Sequence, residues 1–164
     1  LEHAGYTNAI GVDFSERMLL QCRSKFPWLK LVRNDGQTIP FRDHSFHAVL
    51  LFAVLTCIPD GDDQRALIAE VVRVLRPEAL LYISDLLINS DARNVERYQP
   101  HAEKYGVYGV FELPDAGIVR HHREEWIEQL TAPFICLEFE HFTATTMNGN
   151  SSAAFQYLGR VSSA

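Results

Sequence analysis

Ala9-Ile10-Gly11-Val12-Asp13, followed directly by Phe14-Ser15-Glu16-Arg17-Met18-Leu19-Leu20, is the stretch of sequence that decides the fold. Its first part is short and apolar and ends in an acidic residue, which predicts a buried strand that ends at Asp13. Ser15 is a good N-cap, and the apolar residues that follow it at helical spacing predict a helix over 15–26. A buried strand that leads straight into a helix is typical of α/β domains.

Downstream of this stretch, the chain continues to alternate strands and helices. A polar helix start at 60–63 precedes apolar residues at helical spacing, and Pro77 ends that helix. Further strands are predicted at 29–32, 46–55 and 80–84. We therefore expect an α/β, Rossmann-like fold with a mostly parallel sheet and helices on both faces.

The last part of the chain changes character. Residues 134–145 and 154–161 alternate apolar and polar side chains around a turn signal at 148–150, which predicts a C-terminal antiparallel hairpin at the edge of the sheet. Residues 86–117 are polar and aromatic, and a stretch of this length after a strand is typical of a lid. We expect one domain over 1–164, with 86–117 as a lid-like insertion.

Composition and charge exclude several classes of protein. The net charge of −6 and the pI near 5.6 argue against a general nucleic-acid-binding surface. No apolar run reaches the roughly 18 residues that a bilayer requires, so no membrane partner is expected. Cys22, Cys57 and Cys136 form no CxxC pair and suit three free thiols in a cytoplasmic protein. No spacing of ligands predicts a metal site.

Two acidic residues follow successive predicted strands and would lie at one edge of the sheet. Asp13 at such a place can accept hydrogen bonds from both hydroxyls of a ribose. Asp35 can accept from an exocyclic amine, and Gly36 allows the backbone to approach a flat ring. The alternatives are a helix N-terminal acid for Asp13 and a plain Asp-Gly turn.

The glycine-rich loop that usually accompanies such an acid is not in this sequence. It would lie about 20 residues before the acid, and only twelve residues precede Asp13. We therefore expect the first strand of the sheet and its phosphate-type loop to be missing from the chain as given.

Four short motifs follow one another in order between Ala9 and Ser84. They are Gly11-Val12-Asp13-Phe14-Ser15-Glu16-Arg17-Met18-Leu19, Asp35-Gly36 with Ile39-Pro40-Phe41, Asp43-His44-Ser45-Phe46, and Glu70 with Arg73-Val74-Leu75-Arg76-Pro77. Together they resemble the class I S-adenosylmethionine (SAM)-dependent methyltransferases of the type 11, ubiquinone-biosynthesis-like group. The terminal hairpin also fits this family, which ends its sheet with an antiparallel strand.

The resemblance implies SAM as the cofactor and methyl transfer to a small-molecule acceptor. It implies that Asp13 holds the ribose hydroxyls, and that Asp35 accepts from the adenine amine with the Gly36 amide near a ring nitrogen. It also places four apolar residues against the cofactor, namely Phe14 and Met18 on the adenine, and Leu51 and Phe52 after the central strand.

Two residue choices depart from the family pattern. His47 replaces the acid that members usually carry after the equivalent of Phe46. Glu78-Ala79 replaces the usual Gly-Gly after Pro77, so that turn must be built differently. We expect these departures to concern packing and turn geometry.

Methyl transfer from a sulfonium requires alignment, and a base is needed only if the acceptor loses a proton. His101, His121 and His122, in or beside the lid-like segment, are the candidate catalytic bases. The alternative for His121-His122 is a helix start in which Glu125 reaches back as in a capping box. Asp85 either faces the acceptor or is a solvated turn acid. The aromatic residues of this region could line an apolar acceptor pocket, namely Tyr98, Tyr105, Tyr108, Phe111 and Trp126.

Three hypotheses of function remain. The first is a fragment or truncated form of a cytosolic SAM-dependent methyltransferase. The second is a non-catalytic methyltransferase-like module for binding or assembly, and an upstream reading frame without a glycine-rich loop would favour it. The third is an NAD(P)-dependent oxidoreductase, which explains neither Asp35-Gly36 nor the hairpin. An unpaired sheet edge also predicts self-association into a homo-oligomer.

Overall fold

The computed structural model describes residues 2–34, 38–114, 116–146 and 149–162. The chain divides into two compact units, Leu1–Phe41 and Arg42–Ala164, here called unit 1 and unit 2. The predicted residues Asp35 and Gly36 lie outside the described residues.

Unit 1 contains the stretch that decides the fold. A 3-10 turn over Glu2–Ala4 is followed by β1 (Ile10–Asp13), α1 (Glu16–Lys25) and β2 (Lys30–Arg33). The two strands pair in parallel, with Asp13 opposite Arg33. The Ser15 side chain accepts a hydrogen bond from the Met18 N–H and caps α1, which confirms the predicted cap and helix. The strand also ends at Asp13 as predicted, but the expected burial is wrong, since none of its four residues is buried.

Unit 2 is built on a four-stranded sheet in the order β3-β4-β8-β7. Its elements in chain order are β3 (Phe46–Phe52), a 3-10 turn (Leu55–Cys57), α2 (Gly61–Val74), β4 (Leu75–Leu86), α3 (Ala92–Tyr105), β5 (Val110–Glu112), β6 (Ile118–Arg120), α4 (Glu124–Thr131), β7 (Phe134–Thr145) and β8 (Ser151–Val161). Only β3 and β4 pair in parallel, whereas β8 runs antiparallel to both β4 and β7.

The sheet is therefore mixed, and the expectation of a mostly parallel sheet is wrong. The reason is the place of β8, which lies between β4 and β7. Because β8 is antiparallel to both neighbours, two of the three strand pairings in this sheet are antiparallel. The turn between β7 and β8 lies partly outside the described residues.

The segment 86–117 holds regular structure that was not predicted. It contains the 14-residue helix α3, which Asp91 caps through the Asn94 N–H and which ends at Gly106 with a φ of 68°. The short strands β5 and β6 then pair antiparallel. The sequence of α3 is mostly polar, and the helix buries few of its side chains, Asn94 and Tyr98 among them.

The core of unit 2 lies on one face of the sheet. On β4, Leu81 and Ile83 are completely buried. α2 contributes its own apolar stripe, which includes Leu67, Ile68 and Val71. The opposite face carries Leu50, Phe52 and Leu80, whose exposed fractions are 44%, 64% and 37%. No helix among the described residues has the length and apolar character needed to cross a bilayer.

Candidate functional site

Asp13 occupies the place that the sequence predicts for it, at the carboxyl end of β1. Its Oδ1 accepts a hydrogen bond from the Ser15 N–H at 2.8 Å, and its backbone oxygen accepts one from the Asn34 N–H at 3.1 Å. No described residue hydrogen-bonds to its second carboxylate oxygen, Oδ2. The carboxylate is half-buried and held from one side, which leaves an acceptor atom for a ligand.

Two apolar side chains next to Asp13 are open to solvent. Phe14 is 69% exposed, and Met18, one turn into α1, is 52% exposed. Large exposed apolar groups side by side are typical of surfaces that cover a ligand or a partner. Unit 1 thus presents a carboxylate oxygen, a ring and a thioether within six residues of sequence, and these groups fit a nucleoside.

The two residues predicted at the end of β3 differ in their surroundings. Leu51 is 6% exposed and belongs to the core of unit 2. Phe52 is exposed, and its ring lies 5.5 Å from that of Tyr82. Successive strand residues point to opposite faces of a sheet, so the two side chains do not share a surface. Phe52 is the one whose side chain is open to a ligand.

Asp85 is a candidate for which the sequence left two alternatives, and the structure rules out one of them. It is 3% exposed, so it is not a solvated turn acid. Its Oδ2 accepts from the Thr56 N–H at 3.1 Å and its Oδ1 from the Leu86 N–H at 2.7 Å. Burial raises the pKa of Asp85 to about 6, and the backbone N–H donors oppose that rise. The carboxylate joins the end of β4 to the turn that follows β3.

His122 is completely buried, and both of its ring nitrogens meet protein groups. Nε2 lies 3.0 Å from the Gln64 side-chain nitrogen, and Nδ1 lies 3.2 Å from the Leu86 carbonyl oxygen. Gln64 in turn accepts from the Trp126 indole N–H at 2.6 Å. Burial lowers the pKa of His122 to about 3, so the imidazole is neutral and ties α2, β4 and α4 together.

His121 is also buried and neutral. Its Nδ1 lies 2.6 Å from the Tyr98 hydroxyl, and burial lowers its pKa to about 4. His101 is half-buried on α3, with Nδ1 2.7 Å from the Arg97 carbonyl oxygen. The predicted capping box is wrong: α4 begins after Arg123, and no side chain caps it. The histidine pair therefore precedes the helix without capping it.

The aromatic residues of the lid-like segment pack mostly on one another. Tyr98 and Phe111 are buried, with ring centroids 5.7 Å apart, and Tyr108 lies 5.2 Å from Tyr98. These rings form the core beneath α3, and only Tyr108 and Trp126 line an open cleft.

Two of the sequence motifs meet in the structure. Arg73, near the end of α2, donates to Asp43 Oδ1 at 2.7 Å and to both oxygens of Glu70 at 2.7 Å. His47, which departs from the family pattern, lies 2.7 Å from the guanidinium of Arg76, a residue of the same motif as Arg73. Both contacts stabilise the start of the β3-β4 pair rather than its carboxyl end.

The described part of the chain offers no metal site. No group of three or more His, Cys, Asp or Glu side chains among the described residues could hold a metal ion. Cys22, Cys57 and Cys136 are free thiols. The chemistry of these residues is thus that of carboxylates, aromatic rings and neutral imidazoles.

Comparison with solved structures identifies the class of fold. A SAM-dependent methyltransferase from Methanosarcina mazei superposes with a TM-score of 0.86, over 93% of this chain and 81% of that chain, at 22% identity. An N-methyltransferase from Bradyrhizobium japonicum, solved in complex with S-adenosyl-L-homocysteine, gives a TM-score of 0.64 over 93% of this chain and 65% of that chain, at 13% identity. At these identities the likeness shows the α/β methyltransferase fold.

The family follows from the sequence comparison. A family model described as "Methyltransferase domain" matches residues 1–83 of the 164. The chain therefore belongs to the methyltransferase domain family, in the type 11 group of class I SAM-dependent methyltransferases. The resemblance that the four motifs indicated is confirmed, and SAM is the cofactor of this family.

Curated relatives carry two different names. Phthiotriol/phenolphthiotriol dimycocerosates methyltransferase of Mycobacterium tuberculosis is 38% identical over 93 residues, which are 56% of this chain and 32% of that protein. Demethylmenaquinone methyltransferase of Staphylococcus aureus is 30% identical over 134 residues, 76% of this chain and 50% of that protein. The chain thus spans a third to a half of the length of these relatives.

Proposed function

We propose that the protein to which this chain belongs transfers a methyl group from SAM to a small, partly apolar acceptor. The observation that carries the proposal is the carboxylate of Asp13. It is fixed at the end of β1 by the Ser15 N–H, with a second oxygen that no described residue binds and with the exposed Phe14 beside it. This arrangement stands in a chain of the methyltransferase domain family.

The cofactor residues have separate tasks in this proposal. Asp13 accepts hydrogen bonds from the ribose hydroxyls, and the negative charge strengthens those bonds. Phe14 and Met18 cover the adenine, and burial of their exposed side chains favours binding. Asp35 and Gly36 bind the adenine edge as the family pattern implies. Phe52 supplies an apolar contact, and Leu51 contributes through the backbone of β3.

Catalysis in this proposal rests on alignment. Bound SAM supplies a methyl group on a sulfonium, whose thioether leaving group needs no acid. The chain's task is therefore to hold the acceptor atom in line and to exclude water. Asp85 acts as a positioning residue because its carboxylate fixes the turn after β3.

The histidines differ in their suitability as a base. His122 has no nitrogen open to an acceptor, since Gln64 and the Leu86 carbonyl occupy both. His121 Nδ1 lies 2.6 Å from the Tyr98 hydroxyl, and burial lowers its pKa to about 4, so this ring is also a weak base. His101 remains a candidate on α3.

The class of acceptor is inferred from the relatives. Their names refer to phthiotriol and phenolphthiotriol dimycocerosates and to demethylmenaquinone. The exposed Leu50, Phe52 and Leu80 face of the sheet supports an apolar environment in unit 2. We further propose a cytoplasmic enzyme, in keeping with its three free thiols.

A thermal-shift comparison on the full-length protein tests this function. SAM and S-adenosylhomocysteine should each raise the melting temperature, because ligands that bind only the folded state stabilise it. NAD should leave it unchanged. A shift with NAD alone would favour the oxidoreductase. No shift with any of the three would favour a non-catalytic module.

A further inference from the structure

A cleft in unit 2 has no role in the proposed methyl transfer. It lies between the end of α3 and the start of α4, has a volume of about 410 Å³ and falls in the size range of small-molecule sites. Its walls combine cations, a histidine and aromatic rings. The residues that matter here are Tyr108, Arg120, His121, Arg123 and Trp126.

Arg120 is the first sign of a missing partner. It is 6% exposed, and its Nε makes no hydrogen bond with any described residue. Its Nη1 donates only to the Pro59 carbonyl oxygen at 3.3 Å, and the guanidinium stacks 4.7 Å from the Trp126 ring centroid. The charge of Asp60 acts on Arg120, but the two form no direct ion pair among the described residues, and Asp60 Oδ1 accepts two backbone N–H groups. Buried cations are normally paired with an anion.

Arg123 adds a second cation to the same cleft. It is exposed, and its guanidinium lies over the Tyr108 ring at 5.6 Å. It forms no ion pair within the described ranges. Arg65, which also lies over the Trp126 ring, already has a partner, because it lies 2.8 Å from Asp62. Two arginines without a carboxylate partner therefore line one cavity.

His121 supplies a directed donor. The Asn89 N–H donates to the Tyr98 hydroxyl at 3.4 Å, and the same hydroxyl lies 2.6 Å from His121 Nδ1. With the hydroxyl as the donor in that contact, the neutral ring carries its proton on Nε2, for which the described residues offer no acceptor. A neutral N–H donor that lines the same cleft as two arginines suits an oxyanion.

One acid also lines the cleft. Glu125 is exposed, and no described residue pairs with it. It reduces the positive charge of the cleft without cancelling it, since two arginines line the same cavity. Replacing Glu125 with a neutral residue makes the cleft more positive, whereas replacing an arginine makes it less positive.

We propose that this cleft binds a small organic anion, either a carboxylate or a phosphate ester, through Arg120, Arg123 and His121. The aromatic walls contact the apolar body of that ligand. The site is independent of SAM, and its failure would leave the proposed methyl transfer unaffected.

Calorimetry at low ionic strength, with benzoate and inorganic phosphate as separate probes, tests the site. One anion should bind per chain, and Arg123→Gln should weaken binding about tenfold, because it removes a charge-assisted donor from the protein surface. Glu125→Gln should tighten binding about threefold, since it removes a like charge. Arg42→Gln is the matched control, because Arg42 is an exposed arginine before β3 and outside the cleft.

The probes also separate the two sources of the anion. Tighter binding of benzoate identifies a carboxylate with a ring, and tighter binding of phosphate identifies a phosphate group. Absence of binding by both probes, or equal losses in Arg123→Gln and Arg42→Gln, would overturn the proposal. Arg120→Gln provides a further variant, provided that its circular dichroism shows a folded protein.

Discussion

Asp85 accepts a hydrogen bond from the Thr56 N–H at 3.1 Å, although 29 residues separate the two in sequence. This contact holds the 3-10 turn after β3 against the carboxyl end of β4. Phe52, the last residue of β3, precedes that turn and is exposed. A buried carboxylate without a cation is costly, and here backbone N–H groups offset part of that cost.

Asp85→Ala should destabilise the protein in a pH-dependent way. It leaves the Thr56 and Leu86 N–H groups without an acceptor, at about 1–3 kcal/mol each. The pKa of Asp85 is raised to about 6 in the folded state, so the wild type gains stability as pH falls from 6 towards 3.8. The loss in the variant should therefore be about 1 kcal/mol larger at pH 5 than at pH 7. Urea unfolding at both pH values measures this difference, and an equal loss would contradict the account.

The histidine pair should make the protein sensitive to acid. In the folded state the pKa values of His121 and His122 are lowered to about 4 and about 3. As pH falls below 6.5, both imidazoles are therefore protonated in the unfolded chain before they are protonated in the folded one. Stability is then fully present above pH 6.5 and is lost as pH falls through 5. The two rings together cost about 4 kcal/mol between pH 7 and pH 5, against about 1 kcal/mol gained at Asp85.

Carbon-detected titration of the imidazole signals in the folded protein tests this directly. Neither ring should protonate above pH 5 while the protein remains folded. A midpoint near 6.5 for either histidine would show that the buried network with Tyr98 or Gln64 does not form in solution.

Glu78→Gly should stabilise unit 2. Glu78 has a φ of 62°, in the left-handed region that favours glycine, and it stands where the family usually carries glycine. Relief of this strain is worth about 1 kcal/mol, which exceeds the value of its half-exposed ion pair with Arg160. Glu78→Ala loses the ion pair but keeps the strain, so thermal unfolding should rank glycine above wild type and alanine below it.

Phe14→Ala should weaken SAM binding while leaving the stability of the protein almost unchanged. Phe14 is 69% exposed, so its loss should change the free energy of unfolding by less than about 0.5 kcal/mol. The affinity of the full-length protein for SAM should fall roughly tenfold, since the ring covers the adenine in the proposed site. Leu20→Ala is the matched control on α1, with an exposed fraction of 58%. Equal effects of both changes on SAM affinity would remove Phe14 from the site.

The free edge of β3 should promote self-association. β3 pairs only with β4 among the described strands, and it carries the exposed Leu50 and Phe52. Unpaired edges with apolar side chains are templates for pairing with another chain. Light scattering of this chain should show a mass that rises with concentration, and a constant monomer mass at high concentration would refute this.

The elements that could be predicted from the sequence are those that apolar periodicity and a capping residue mark locally. β1, the Ser15 cap and α1 were evident because apolar spacing and a capping residue are local signals. α3 was missed because its sequence is polar. The antiparallel place of β8 depends on which strand edge it joins, and local sequence does not state that choice.

Within the candidate site, residue types were easier to predict than burial. Asp13 lies at the end of β1 as the pattern predicts, and Phe14 and Met18 follow it with exposed side chains. Asp85 and His122 owe their surroundings to contacts with Thr56 and Gln64, which are 29 and 58 residues away in sequence. Only the folded chain shows that these polar groups are buried and partnered.

The most direct test of the central claim is the affinity of the full-length protein for SAM in Asp13→Asn, measured by calorimetry. The asparagine keeps an acceptor for the Ser15 N–H, so the fold should persist, whereas loss of the charge should weaken binding by about 10- to 100-fold. Glu16→Gln removes a neighbouring exposed acid and should leave the affinity unchanged. Equal affinity in Asp13→Asn and wild type would contradict the account.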